Sequence, residues 1–217
     1  MNIEQARFNM IEQQIRPWDV LDPQVLDLLF VVKREDFVPE AYRALAFADM
    51  EIPIGQGQAM LAPKIEARLL QELGVRKTDK ILEIGSGSGY MAALLAARGE
   101  HVVTVEINPE LADGARRNLE RAGVTNVAVE TGDGAQGWSH RGPYDVIVVS
   151  GALAEIPETL LKQLRVGGRL AAIVGDEPMM RATVITRTGP NSFTTAQAWD
   201  VNAPRLAGFA EPSAFHF

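Results

Sequence analysis

The chain has 217 residues, 47% hydrophobic and 23% charged, which fits a globular protein with a substantial single core and excludes a disordered chain. Lys and Arg total 21 against 28 Asp and Glu, and the resulting net charge of −7 opposes binding to a phosphate backbone. Cysteine is absent, so disulfides, thiolate nucleophiles and cysteine-based zinc sites are excluded. The longest apolar run, Met91 to Ala97, is too short to span a bilayer. The opening Met-Asn-Ile-Glu-Gln lacks the basic-then-apolar pattern of a secretory signal. A cytoplasmic protein is expected, with neither nucleic acid nor membrane as partner. No signature specifies an oligomeric state.

The first third reads as helical. Asn2 is a cap, and Ile3, Ala6, Met10, Ile11 and Ile15 follow helical spacing until Pro17 ends the segment. Asp22-Pro23 is an N-cap with a first-turn proline, ahead of an apolar stripe of Val25, Leu26, Leu29 and Val32. Phe37 to Leu61 has Pro39, Pro53, Gly55 and Gly57 and no sustained period, and it reads as a loop. Pro63 opens a helix closed by Gly74.

From Lys80 onward strands and helices alternate. The predicted strands are Ile81–Ile84, Val102–Val105, Asn126–Glu130, Tyr144–Val149 and Gly168–Val174. Helices are predicted over Tyr90–Arg98, from the Asn108-Pro109 cap to Gly123, and from Pro157. This alternation predicts parallel strands with crossover helices, a Rossmann-like doubly wound α/β sheet under an N-terminal helical cap. Ala182–Thr188 and Ser192–Asp200, separated by Gly189-Pro190-Asn191, predict a C-terminal antiparallel hairpin.

The turn Gly85-Ser86-Gly87-Ser88-Gly89 between a strand and a helix is a nucleotide-type site, where glycine lets the backbone approach a ligand and the helix offers free N–H groups. Glu106 ends the next strand, where a carboxylate accepts both hydroxyls of a ribose. Asp133, in Thr131-Gly132-Asp133-Gly134, follows the third strand and is placed to accept from the amine of adenine. Three matched features at successive strand tips point to one ligand, since such sheets bind there. A dinucleotide fingerprint needs a small residue where this chain has Tyr90, which disfavours NAD, and no P-loop occurs. His101, His140 and His216 lack ligand spacing, so no metal is expected.

The segment Ile81-Leu82-Glu83-Ile84-Gly85-Ser86-Gly87-Ser88-Gly89-Tyr90 resembles motif I of class I S-adenosylmethionine methyltransferases. More narrowly, Arg34–Glu40, Asp49, Pro53-Ile54-Gly55, Gly57-Gln58, Ala62-Pro63, Glu155-Ile156-Pro157 and Gly167–Leu170 resemble the protein-L-isoaspartate O-methyltransferases. The resemblance runs from about Phe8 to Gly175 and weakens in the tail. It implies S-adenosylmethionine as cofactor, with S-adenosylhomocysteine as product. It also implies methylation of the α-carboxyl of isoaspartyl residues in damaged proteins, followed by collapse of the ester to a succinimide. The implied cofactor residues are Glu83, Gly85, Ser86, Gly87, Ser88, Gly89, Glu106, Ile107, Asp133 and Gly134. The implied division within a single domain is a cap with the substrate loop over 1–78, the cofactor-binding core over 79–175 and the hairpin with its tail over 176–217.

The chain departs from the family in the active-site loop. The family's Gln-Thr-Ile-Ser is Gln58-Ala59-Met60-Leu61, so the threonine is Ala59 and the serine counted as the active-site residue is Leu61. A carboxylate acceptor is already ionised at neutral pH and needs no general base, so rate comes from alignment. Each lost hydrogen bond to the anion costs about 1.5–3 kcal/mol, or roughly ten- to a hundredfold. Gln58 and Ser150 remain as donors, with Leu61 at the position of the family serine. Restoring Thr at 59 and Ser at 61 together is expected to raise turnover. Two other readings stay open: a methyltransferase with a different acceptor, and a cofactor-binding protein without transferase activity.

Overall fold

The computed structural model describes residues 2–210; Met1 and 211–217, with His216, lie outside the described residues. Helix α1 (Ile3–Asn9) starts where the Asn2 side chain accepts from the Gln5 N–H. It runs into a π-helical turn at Met10–Ile15 and a 3-10 turn at Arg16–Trp18, ended by Asp19 at a φ of 65°. The wider π turn was not expected from the spacing; it buries Met10, Ile11 and Ile15 together. Helix α2 (Pro23–Val31) is capped by Asp22, and α3 (Pro63–Leu73) ends at Gly74 in the left-handed region.

The segment read as a loop holds more structure than its sequence suggested. Strands β1 (Ile52–Gly55) and β2 (Gln58–Met60) form an antiparallel hairpin apart from the main sheet. Its turn runs through Gly55, Gln56 and Gly57, all at positive φ. Strands of four and three residues are too short to show alternation, and the turn glycines mask them further.

The main sheet contains β3 (Lys80–Ile84), β4 (His101–Glu106), β5 (Val127–Thr131), β6 (Tyr144–Leu153), β7 (Leu164–Val174), β8 (Arg181–Gly189) and β9 (Ser192–Asp200). Their order is β5-β4-β3-β6-β7-β8-β9; the first five are parallel and the last two antiparallel, as the alternation and the hairpin predict. Helices α4 (Tyr90–Arg98), α5 (Pro109–Arg121) and α6 (Glu158–Lys162) connect the parallel strands. Helix α4 is buried from Tyr90 through Ala96, which explains its apolar surface all round.

Apolar side chains divide between the two faces of the sheet. Ile81, Val102, Val146 and Val148 share one cluster with Met10, Leu29, Leu70 and Leu94 of the helical part. Leu82, Val103, Ile147 and Leu170 pack on the other face with Leu160 of α6. The strand order reverses between β3 and β6, with β4 and β5 added on one side and β7 on the other, which opens a crevice at the carboxyl ends of these parallel strands.

Candidate active site

The crevice is a cleft of about 680 Å³, counted to its open mouth. Gly85 and Gly87 form its floor, Val105, Glu106, Ile107 and Gly134 one side, and Gln58, Ala59 and Ser150 another. Residues well separated in sequence therefore face one space. Gly85 has a φ of 91° and Gly87 a φ of 49°, a conformation that L side chains rarely adopt. Glu106 is buried and held by two backbone donors: its Oε2 accepts from Gly87 N–H at 2.9 Å and its Oε1 from Asn108 N–H at 3.0 Å. Each oxygen keeps lone-pair capacity for a further donor.

Other predicted residues stand back from the cleft. Asp133 is exposed, and its Oδ1 accepts from Ala135 N–H at 2.9 Å. Ser88 supports the turn through its carbonyl, which accepts from Asn118, and Gly89 packs against Ala115 and Leu119 of α5. Leu61 is 4% exposed and belongs to the apolar cluster; its side chain is outside the cleft lining. Its carbonyl accepts from Arg34 Nη2 at 2.8 Å, and Arg34 also pairs with Glu66. The Arg34–Glu40 stretch thus anchors the loop: Arg34 ties its backbone to α3 while Phe37 packs on the Tyr90 ring.

Sequence reasoning missed the contribution of the tail. Ala152 N–H donates to Pro204 at 2.8 Å and Leu206 N–H donates to Ala152 at 3.0 Å, so the tail pairs along the end of β6. Leu206 and Ala207 thereby line the cleft beside Gly85. A Cβ at Gly85 would meet Leu206 Cδ1 at 2.7 Å. The local sequence Ala203-Pro204-Arg205-Leu206-Ala207 carries no strand signal, because the pairing partner is fifty residues away. Ile54 and Gln56 of the missed hairpin also line the cleft.

Glu83 is fully buried beneath the cleft and does not line it. To the ionised carboxylate, Thr104 Oγ1 donates at 2.6 Å (Oε2) and Ser150 Oγ at 2.8 Å (Oε1). Burial pushes the Glu83 carboxyl up to about 8, against these two hydrogen bonds and with help from the charges of Glu66 and Glu106. Glu66 is also raised by burial, and the Arg34 guanidinium opposes that shift. Between the ordinary value of 4.5 and about 8 the folded chain holds a proton on Glu83 that the unfolded chain releases. This contribution to stability is full below 4.5 and is lost as pH rises through about 8. Glu83→Gln removes the titration. Its stability relative to wild type should improve by about 1.4 kcal/mol per pH unit across that window. Urea unfolding at several pH values checks this; parallel curves would contradict it.

The fold and the cleft are those of a class I methyltransferase: a reversal between β3 and β6, a glycine turn at that point and an acid at the tip of β4. The chain belongs to the protein-L-isoaspartate(D-aspartate) O-methyltransferase family, whose profile matches residues 5–202. A Methanoculleus marisnigri protein-L-isoaspartate O-methyltransferase is 48% identical over 169 residues, spanning 78% of this chain and 77% of that one. One from Gloeobacter violaceus is 46% identical over 180 residues, spanning 82% and 88%. In fold the chain matches a Plasmodium falciparum protein-L-isoaspartate O-methyltransferase, crystallised with S-adenosyl-L-homocysteine. The TM-score is 0.81 at 20% identity, over 96% of this chain and 99% of that one.

Proposed function

We propose that the chain uses S-adenosylmethionine to methylate the carboxylate of isoaspartyl residues in damaged proteins or peptides, acting in the cytoplasm. The observation that carries this reading is the shared cleft, where the family's loop at Gln58 and Ala59 faces the glycine turn and Glu106. The cleft fits the cofactor: glycines at Gly85 and Gly87 keep the floor open, and a buried carboxylate is already oriented by two backbone donors. Glu106 accepts from the ribose, Ile107 and Gly134 bound the adenine side, and Gln58 and Ser150 face the acceptor. Asp133, exposed beside Gly134 at the rim of the cleft, is assigned in this reading to the adenine amine. When bound, S-adenosylmethionine supplies an electrophilic methyl group, which an ionised carboxylate oxygen takes in line without a general base.

The chain works as one unit in this reading. Residues 1–78 bring the acceptor loop, 79–175 the cofactor residues, and 176–217 the wall formed by Leu206 and Ala207. No helix among the described residues is long and apolar enough to cross a membrane. Neither a different acceptor nor a non-catalytic role has an observation of its own in the structure. Calorimetry should show binding of S-adenosylhomocysteine and none of NAD. Incubation of an aged protein with labelled S-adenosylmethionine should deposit methyl groups that mild base releases as methanol. NAD binding without S-adenosylhomocysteine binding, or base-stable label, would contradict the reading.

A further inference from the structure

One polar chain crosses the middle of a sheet face beside a row of apolar side chains. Parallel register sets Glu83 opposite Thr104 on one side and Val148 on the other, with Ser150 two residues beyond Val148. Ile81, Val102, Val146 and Val148 surround this row on the same face. Ser150 contacts Glu83 at 2.8 Å, Glu83 contacts Thr104 at 2.6 Å, and Thr104 contacts Ser86 at 2.6 Å. Ser150 is the member that reaches the cleft; Glu83 and Thr104 are fully buried and Ser86 nearly so.

Counting protons decides what Ser150 offers to the cleft. With Glu83 ionised, the hydroxyl protons of Ser150, Thr104 and Ser86 fill the three contacts. Ser150 then presents lone pairs, which repel an anionic acceptor. With Glu83 neutral there are four protons for three contacts, and the fourth must leave through an end of the chain. The Ser86 end is enclosed in the glycine turn, and the Ser150 end opens on the cleft.

We propose that Glu83 is held as a carboxylic acid that donates to Ser150 Oγ and so turns the Ser150 hydroxyl into the cleft as a donor to the acceptor carboxylate. Ser150 is thereby a catalytic residue and Glu83 a positioning residue. The pair supplies a donor to an acceptor whose family loop hydroxyls are missing at Ala59 and Leu61. This rests on the isoaspartyl reading given above.

The charges around Glu83 favour its neutral form. Glu66 on α3 and Glu106 at the end of β4 both disfavour a charge there. The Arg34 guanidinium is engaged by Glu66 and by the Leu61 carbonyl. Beyond the Tyr90 ring, Arg7 and Glu35 pair with each other. Burial raises the Glu83 carboxyl in the same direction. A bound acceptor carboxylate adds a further negative charge and strengthens the preference.

The test is the pH profile of kcat/KM for an N-acetylated isoaspartyl peptide at saturating S-adenosylmethionine. In the wild type it should fall by about tenfold per pH unit beyond the Glu83 titration near 8. Glu83→Gln presents a neutral donor to Ser150 and an acceptor to Thr104 at every pH. Its profile should lose the alkaline limb and exceed the wild type by about tenfold near pH 9. Ser150→Ala should lower kcat/KM roughly ten- to a hundredfold near pH 7, with S-adenosylhomocysteine affinity retained. Independently of activity, the infrared difference between wild type and Glu83→Gln, which cancels the contribution of Glu66, should show the carbonyl band of a protonated carboxyl in the ligand-free chain near neutral pH, and that band should bleach on alkaline titration. An alkaline limb unchanged in Glu83→Gln, wild-type kcat/KM in Ser150→Ala, or absence of the infrared band would overturn the proposal. No methyl transfer by the wild type at any pH, with the band present, would instead overturn the isoaspartyl reading and the donor role with it.

Discussion

Replacing Glu106 with Ala should weaken S-adenosylhomocysteine binding by at least tenfold in a chain that still folds. The buried Glu106 carboxylate is held in place by the Gly87 and Asn108 N–H groups, at 2.9 and 3.0 Å. It faces the cleft with one free lone pair on each oxygen. Two ribose hydroxyls donating to a charged partner contribute about 1.5–3 kcal/mol each, which sets an upper range well beyond tenfold. The two bonds share one carboxylate and are not additive, so tenfold is the floor. Ala also leaves Gly87 N–H without its acceptor and loosens the turn that floors the cleft. Glu106→Gln keeps a single carbonyl acceptor and should lie between wild type and Ala. Calorimetry with circular dichroism as a folding control checks this. An unchanged dissociation constant in folded Glu106→Ala would contradict the assignment.

Restoring the family's two loop hydroxyls should have opposite consequences. Ala59 lines the cleft, so Ala59→Thr places a hydroxyl where the acceptor lies. Turnover on an isoaspartyl peptide should rise by about tenfold, the low end for one charge-assisted hydrogen bond. Leu61 is 4% exposed within the apolar cluster. Leu61→Ser leaves a cavity there and buries a hydroxyl, costing about 3–5 kcal/mol. For a chain of this size that lowers Tm by about 10 °C. Sequence reasoning treated positions 59 and 61 as one pair whose joint restoration raises turnover; the structure places one in the cleft and the other in the core. Thermal melts and initial rates of the two single variants check this separation. A stable, faster Leu61→Ser with an inert Ala59→Thr would reverse it.

Much of the architecture was legible because the physics is local. Asn2, Asp22 and Asn108 cap the helices they precede, and Gly74 ends α3 in the left-handed region. The switch from helical period to strand–helix alternation at Lys80 gave the parallel core. The glycine turn was readable because its positive-φ positions demand glycine, and the place of Glu106 because it ends β4 beside that turn. What escaped depends on partners distant in sequence. Leu206 and Ala207 become cleft residues through pairing with Ala152. Leu61 turns inward because Arg34 and α3 fix its backbone. Glu83 looked like a cofactor residue from its place in motif I, but its contacts with Thr104 and Ser150 arise from the register of three strands.

The most direct measurement of the central claim uses two synthetic peptides identical except at one residue, isoaspartyl in one and ordinary aspartyl in the other. Each is incubated with labelled S-adenosylmethionine and the purified chain. Label should enter the isoaspartyl peptide alone, and mass spectrometry should follow its loss as the ester closes to a succinimide. Equal labelling of the two peptides, or none of either by a chain that binds S-adenosylhomocysteine, would contradict it.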